Sequence, residues 1–216
     1  MTNIFIFLAV LLASASAGSF SSDEDCDDSG HNSHEHGHGR RAKAECEVGW
    51  KQFNRPSGRW CMKVLQGHIT QPQAEANCKL QGATLSSLQN EQEILWITST
   101  AVNLFPQRSG MLWVGAKRTA ACIATHLTPT CNGNTAFEWT DGSATGTAGF
   151  LWNRKQPDND KKVQYCAALL AMVIPQTRDY WPWLKDRLDD RGCAELGFRE
   201  RTMRGYVCGK RPSRRR

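Results

Sequence analysis

The sequence predicts one disulfide-stapled α+β domain, and three observations carry that expectation. Eight of the nine cysteines, Cys46, Cys61, Cys78, Cys122, Cys131, Cys166, Cys193 and Cys208, form an even set spread along the chain, as in a secreted disulfide framework. Two segments in the first half carry helix start and stop signals. The second half loses the helical period and shows short aromatic and β-branched runs instead.

The elements follow in order. "CEVGWKQFNRPSGRWCMKVLQG" has two β-prone aromatic runs around a "RPSG" turn and reads as a hairpin bounded by Cys46 and Cys61. "TQPQAEANCKLQG" offers Thr70 as N-cap, Pro72 in the first turn and Gly82 as stop, which makes a short helix carrying Cys78. In "NEQEILWITSTAV", Asn90 and Glu93 stand at capping-box spacing ahead of an apolar run, so a second helix starts there. After Phe105-Pro106 the strands are "MLWVGAK", "FEWTDG", "VQYCAALLA" and "RGYVCGK". Their Trp113, Val114, Phe137 and Trp139 read as core. The two stretches "RTAACIATHLTPTCNGNTA" and "MVIPQTRDYWPWLKDRLDDRG" read as long loops, which in a compact domain are functional or stapled. No linker-like break divides this region, so residues 46–209 form one domain.

The flanks differ in kind. Residues 1–17 hold an apolar run from Ile4 to Ala13, too short to span a bilayer, and then Ala15-Ser16-Ala17, which suits cleavage before Gly18: a secretory signal peptide. The stretch "SSDEDCDDSGHNSHEHGHGRR" holds acids, His, Ser and Gly with no apolar side chain to build a core, and residues 18–45 read as a disordered polar tail. Cys26 lies in that tail as the odd cysteine and is a candidate for a disulfide-linked dimer. His31, His34, His36 and His38 are spaced to bind zinc or copper loosely, or simply belong to a polar tract. Residues 210–216 form a basic tail that carries part of the formal charge of +6. That tail could touch sulfated glycans or anionic surfaces. The balance describes a basic end rather than a basic surface and does not point to nucleic acid.

Enzyme classes fare poorly. A thiol nucleophile needs an unpaired cysteine, and the domain's set is even. No G-x-S-x-G elbow is present. Asp189 and Asp190 are adjacent, whereas glycoside hydrolysis needs carboxyls on opposite sides of one bond.

The ordered set of a hairpin ending at Cys61, "AEANC", a second helix, "LWVGA", "FEWTDG", "QPD", Cys166, "LDD", Cys193 and "GYVCG" resembles a C-type lectin-like domain, in detail the small secreted invertebrate members. The resemblance implies two helices flanking small antiparallel sheets, with an irregular long loop that presents ligands. It implies bridges Cys78–Cys208, Cys166–Cys193 and Cys46–Cys61, leaving Cys122 and Cys131 to clip an inserted loop.

It also implies a calcium site around a cis proline: Gln156 and Asp158 flank Pro157, a later position is Gln164 where the family has an acid, and the pair before Cys193 is Asp189 and Asp190, preceded by Leu188 where a Trp is usual. Those five side chains offer oxygens with three charges, so calcium binding is expected and expected to be weak. The order "QPD" goes with galactose-type selectivity, so the implied partner is a glycan bound through Gln156, Asp158 and Asp189. Trp181 and Trp183 could serve as sugar-stacking aromatics, as a protein-contact patch or as partly buried loop staples. Two functions therefore stand: a secreted, calcium-dependent, galactose-type lectin in immune or surface recognition, and a calcium-independent protein-binding or surface-recognition module on the same fold.

Overall fold

A computed structural model describes residues 44–173, 176–178 and 181–213. The leader, Cys26, the histidine cluster and the last three arginines lie outside the described residues.

Among the described residues the domain has ten strands and two α-helices: β1 Lys51–Arg55, β2 Gly58–Gln66, α1 Gln71–Lys79, β3 Thr84–Leu85, α2 Glu91–Leu104, β4 Ser109–Arg118, β5 Phe137–Trp139, β6 Cys166–Met172, β7 Gln176–Arg178, β8 Trp181–Trp183, β9 Arg187–Arg191 and β10 Met203–Lys210. The α+β class holds. The main strands join in one sheet of order β1-β2-β10-β4-β6-β9, with β3 added beside β10 and β5 beside β4. This sheet is mixed, because β10 runs parallel to β4 while the other neighbours are antiparallel.

Strand periodicity divides the core in two. From β6, Ala167, Leu169 and Ala171 face one side, where Ile94, Ile97 and Ala101 of α2 cover them. Cys166, Ala168, Leu170 and Met172 face the other, with Ala74 and Cys78 of α1. Every residue of β6 is buried, which is why it reads as a continuous apolar run rather than an alternating one. Fully burying a side chain such as Leu169 or Ile97 is worth about 1.5–3 kcal/mol, so this strand anchors everything attached to its ends.

The helix starts follow their caps, with one difference. At α1, Gln73 Oε1 accepts from Thr70 N at 2.9 Å and from its hydroxyl at 3.0 Å. At α2, Asn90 Oδ1 accepts from Glu93 N at 3.1 Å, but the Glu93 carboxylate does not reach back to complete a capping box. It accepts instead from Gln89 N at 2.8 Å and from both Nε (2.8 Å) and NH2 (2.6 Å) of buried Arg55. Tertiary pairing outcompetes the local bond because Arg55 is itself buried and needs a counter-ion.

Among the described residues there are four disulfides: Cys46–Cys61, Cys78–Cys208 and Cys166–Cys193, as the resemblance implied, and Cys122–Cys131, the pair left over. The stretch Met172–Gly192, expected to be irregular, is not: it contains the β7–β8 hairpin and β9, which pairs antiparallel with β6. The reason is that "RLDDR" looks like surface, yet Leu188, Asp189, Asp190 and Arg191 are all buried.

Candidate functional site

The Gln156–Pro157 peptide is cis, and the five expected ligand residues converge. The "QPDND" loop crosses the end of β9, and the two are tied by Asp190. Its Oδ1 accepts from Asp158 N at 3.2 Å and its Oδ2 from Asn159 N at 2.8 Å. Asn159 is fully buried and pins the loop on its other side, donating to the carbonyls of Ile123 (3.0 Å) and Thr125 (3.1 Å). Its Oδ1 accepts from Gln164 N at 3.1 Å. The insertion clipped by Cys122–Cys131 thus buttresses the loop from behind.

The oxygens are already engaged. Gln156 Oε1 accepts from Asp158 N at 3.0 Å, Asp158 Oδ1 from Asp160 N at 3.2 Å, and Gln164 Oε1 from Asp160 N at 2.7 Å. Positive charge is supplied by three arginines. Arg118, at the end of β4, forms an ion pair with Asp190 in which both side chains are fully buried. Arg191 NH1 lies 3.3 Å and Arg201 NH1 3.7 Å from the same Asp189 oxygen. Burial pushes the Asp189 carboxyl up to about 7, against the pull of Arg191. Burial likewise pushes Asp190 up to about 6, against the Asn159 N–H and Arg118.

This arrangement does not fit calcium. The ion takes six to eight oxygens, mostly from carboxylates and carbonyls free to turn toward it. Here Asp189 and Asp190 face guanidinium groups, and the two glutamine oxygens close local turns. Among the described residues, no three His, Cys, Asp or Glu side chains are grouped to hold a metal ion.

What the site does offer is a cleft of about 440 Å³ beside the loop. Gln156, Asp158, Gln164 and Asp189 line it, and so do Trp183, Phe198, Glu195 and Arg201. Trp183 is partly buried against the second core cluster, and the Arg201 guanidinium lies 4.1 Å from its ring centre, so one face of the ring is taken. Trp181 opens β8. Phe198 is 59% exposed at the cleft rim, with the Arg201 guanidinium 5.8 Å from its ring centre, and leaves aromatic surface available to a ligand.

Sequence reasoning missed Arg118, Asn159, Arg201 and Phe198. For Arg118 a signal existed: an arginine closing the apolar run "MLWVGAKR" has to find a counter-ion when its strand is buried. Phe198 carried none, since a lone aromatic between Gly197 and Arg199 has no period.

Fold, disulfides and this loop-on-strand site together define a C-type lectin-like domain. A family profile described as "C-type lectin domain-containing protein 141/158" matches residues 51–211, and the chain belongs to that family. Among solved structures, it is similar to a calcium-independent type II antifreeze protein, at 22% identity over 79% of this chain and 98% of that one, with a TM-score of 0.50. It is also similar to the cow C-type carbohydrate-recognition domain of CD23, solved with a GlcNAc2Man3 oligosaccharide, at 16% identity over 79% and 99% of the two chains and a TM-score of 0.50. At such identities the likeness speaks to the fold. No curated protein matches the chain.

Proposed function

We propose that the chain is a secreted, non-enzymatic recognition module that binds glycans in the cleft beside "QPDND", and does so without calcium. The observation that carries this reading is the pairing of Asp189 and Asp190 with buried arginines, next to a cleft that still presents polar side chains and an exposed ring. Carboxylates and amides have lone pairs and N–H groups to spare for sugar hydroxyls, even when each already makes one bond. Asp158 and Gln156, both partly exposed, would take a pair of hydroxyls, and Phe198 would pack on the apolar face of the ring. The "QPD" order places galactose-type sugars first.

Several features support the extracellular and non-enzymatic parts. Four disulfides suit an oxidising compartment. No helix among the described residues is long and apolar enough to cross a membrane. The domain's cysteines are all bridged, which removes a thiol nucleophile. Asp189 lines the cleft but Asp190 is fully buried against Arg118, so the two do not present a pair of carboxyls to one substrate position.

The test is a glycan screen of the oxidised protein with galactose-terminated ligands at its head, run in parallel with EDTA and with calcium. Retention that is equal in both supports the reading. Retention only with calcium supports the calcium-dependent, galactose-type lectin that the motif alone suggested. A second reading, a protein partner at the same cleft, is favoured by the Trp183–Arg201–Phe198 cluster, since aromatic and arginine side chains dominate binding hot spots. Absence of any glycan binding would select it.

A further inference from the structure

We infer that Arg118 occupies the role of the cation in this site: its guanidinium is the positive charge around which the 156–164 loop and β9 are assembled, so removing it leaves a loop that calcium can order. The inference rests on the calcium-free reading above.

The bonds around Arg118 carry the argument. Its Nε donates to the Gln164 carbonyl at 2.8 Å, and NH2 pairs with Asp190 Oδ2. Asp190 in turn receives the N–H groups of Asp158 and Asn159. One buried Arg–Asp unit therefore fixes the loop at 158, 159 and 164, and 158 and 164 are two of the positions a metal would tie together. The group is held in place by the Phe137 ring, 4.7 Å from the guanidinium carbon. Asp158 adds a further negative field at Arg118, which acts to keep it protonated against the cost of burial.

Geometry explains why arginine does this. Two donors of one planar fork reach two partners in different directions, while a lysine ammonium on a flexible stem has no such fixed fork. With the fork absent, Asp158, Asp190 and the Gln164 carbonyl would be a set of oxygens with no cation among them. That is the donor class a hard divalent ion selects.

The experiment uses the full disulfide-bonded chain and its variants Arg118→Met, Arg118→Lys and Arg118→Met/Asp190→Asn. Each is digested with trypsin, in EDTA or in 10 mM calcium chloride (about ten times the weak end of extracellular sites), and cleavage at the exposed Lys161 and Lys162 is followed by mass spectrometry. The parent should be cut slowly and equally in both. Arg118→Met should be cut at least about tenfold faster in EDTA and be protected severalfold by calcium, and the double variant should lose that protection.

Parent-like cleavage of Arg118→Met in EDTA, or fast cleavage that calcium does not slow, overturns the inference. If Arg118→Met does not fold, Arg118→Lys decides. It keeps the charge but not the fork, so moderately faster cleavage with no calcium response is expected, and parent-like cleavage or calcium protection overturns the role. A parent that calcium itself protects would overturn both this role and the calcium-free mode. A parent that behaves as stated but binds no glycan would overturn the carbohydrate reading alone.

Discussion

Arg118 and Asp190, 72 positions apart in the chain, form an ion pair with no solvent exposure on either side chain. The pair joins the end of β4 to β9, and through the N–H groups of Asp158 and Asn159 it fixes the 156–164 loop to the sheet.

Removing one member of a buried pair leaves the other uncompensated, which costs about 3–5 kcal/mol. Arg118→Ala and Asp190→Ala should each lower unfolding free energy by about that much in urea titrations. The double variant should lose clearly less than the sum, because the two groups are directly coupled. Additive losses would show that the pair is not the energetic link drawn here.

The raised carboxyls give a pH dependence whose sign is fixed. Asp189 and Asp190 hold their protons to about 7 and about 6 in the folded state, above the ordinary value of 3.8. Between 3.8 and those values the folded chain binds more protons than the unfolded one, so stability contributed by these groups falls as pH rises. It is fully present below 3.8 and gone once pH has passed about 7. The urea midpoint should be higher at pH 5 than at pH 8, and Asp189→Asn should flatten the difference. A midpoint that rises from pH 5 to pH 8 would contradict it.

The disulfides should differ in worth. On a chain-entropy view, Cys78–Cys208 closes 130 residues and contributes about 5 kcal/mol, while Cys122–Cys131 closes 9 and contributes about 2.6 kcal/mol. Replacing each pair by serine should therefore cost about 2 kcal/mol more for the first. The second replacement should also loosen "QPDND", which leans on Ile123 and Thr125, so hydrogen exchange at Asn159 should quicken.

Phe198 is exposed, so Phe198→Ala should leave stability within about 0.5 kcal/mol. If it stacks on a sugar ring, glycan affinity should fall roughly two- to tenfold, in line with about 0.5–1.5 kcal/mol for an aromatic contact. Calorimetry on parent and variant separates the two effects, and an unchanged affinity would move the stacking role elsewhere.

Local chemistry made much of the fold legible. Thr70 and Asn90 start helices because their side chains or their partners satisfy the first turn, and that information lies within four residues. The cysteine framework and the cis Gln156–Pro157 peptide followed from the resemblance. What stayed hidden was non-local. β9 reads as a charged loop because its aspartates are neutralised by Arg118 and Arg201 from distant segments. Glu93 reads as a helix cap, yet it serves Arg55, 38 residues away. The expected ligand residues came together, but a sequence motif records which oxygens are present and not which cation they face.

The most direct measurement is binding of a galactose-terminated glycan to the oxidised chain by calorimetry, first in EDTA and then in 10 mM calcium chloride, an excess over weak extracellular sites of about tenfold. Equal affinity in both, with no heat from calcium alone, is the result this account predicts. Binding that disappears in EDTA and returns with calcium would contradict it.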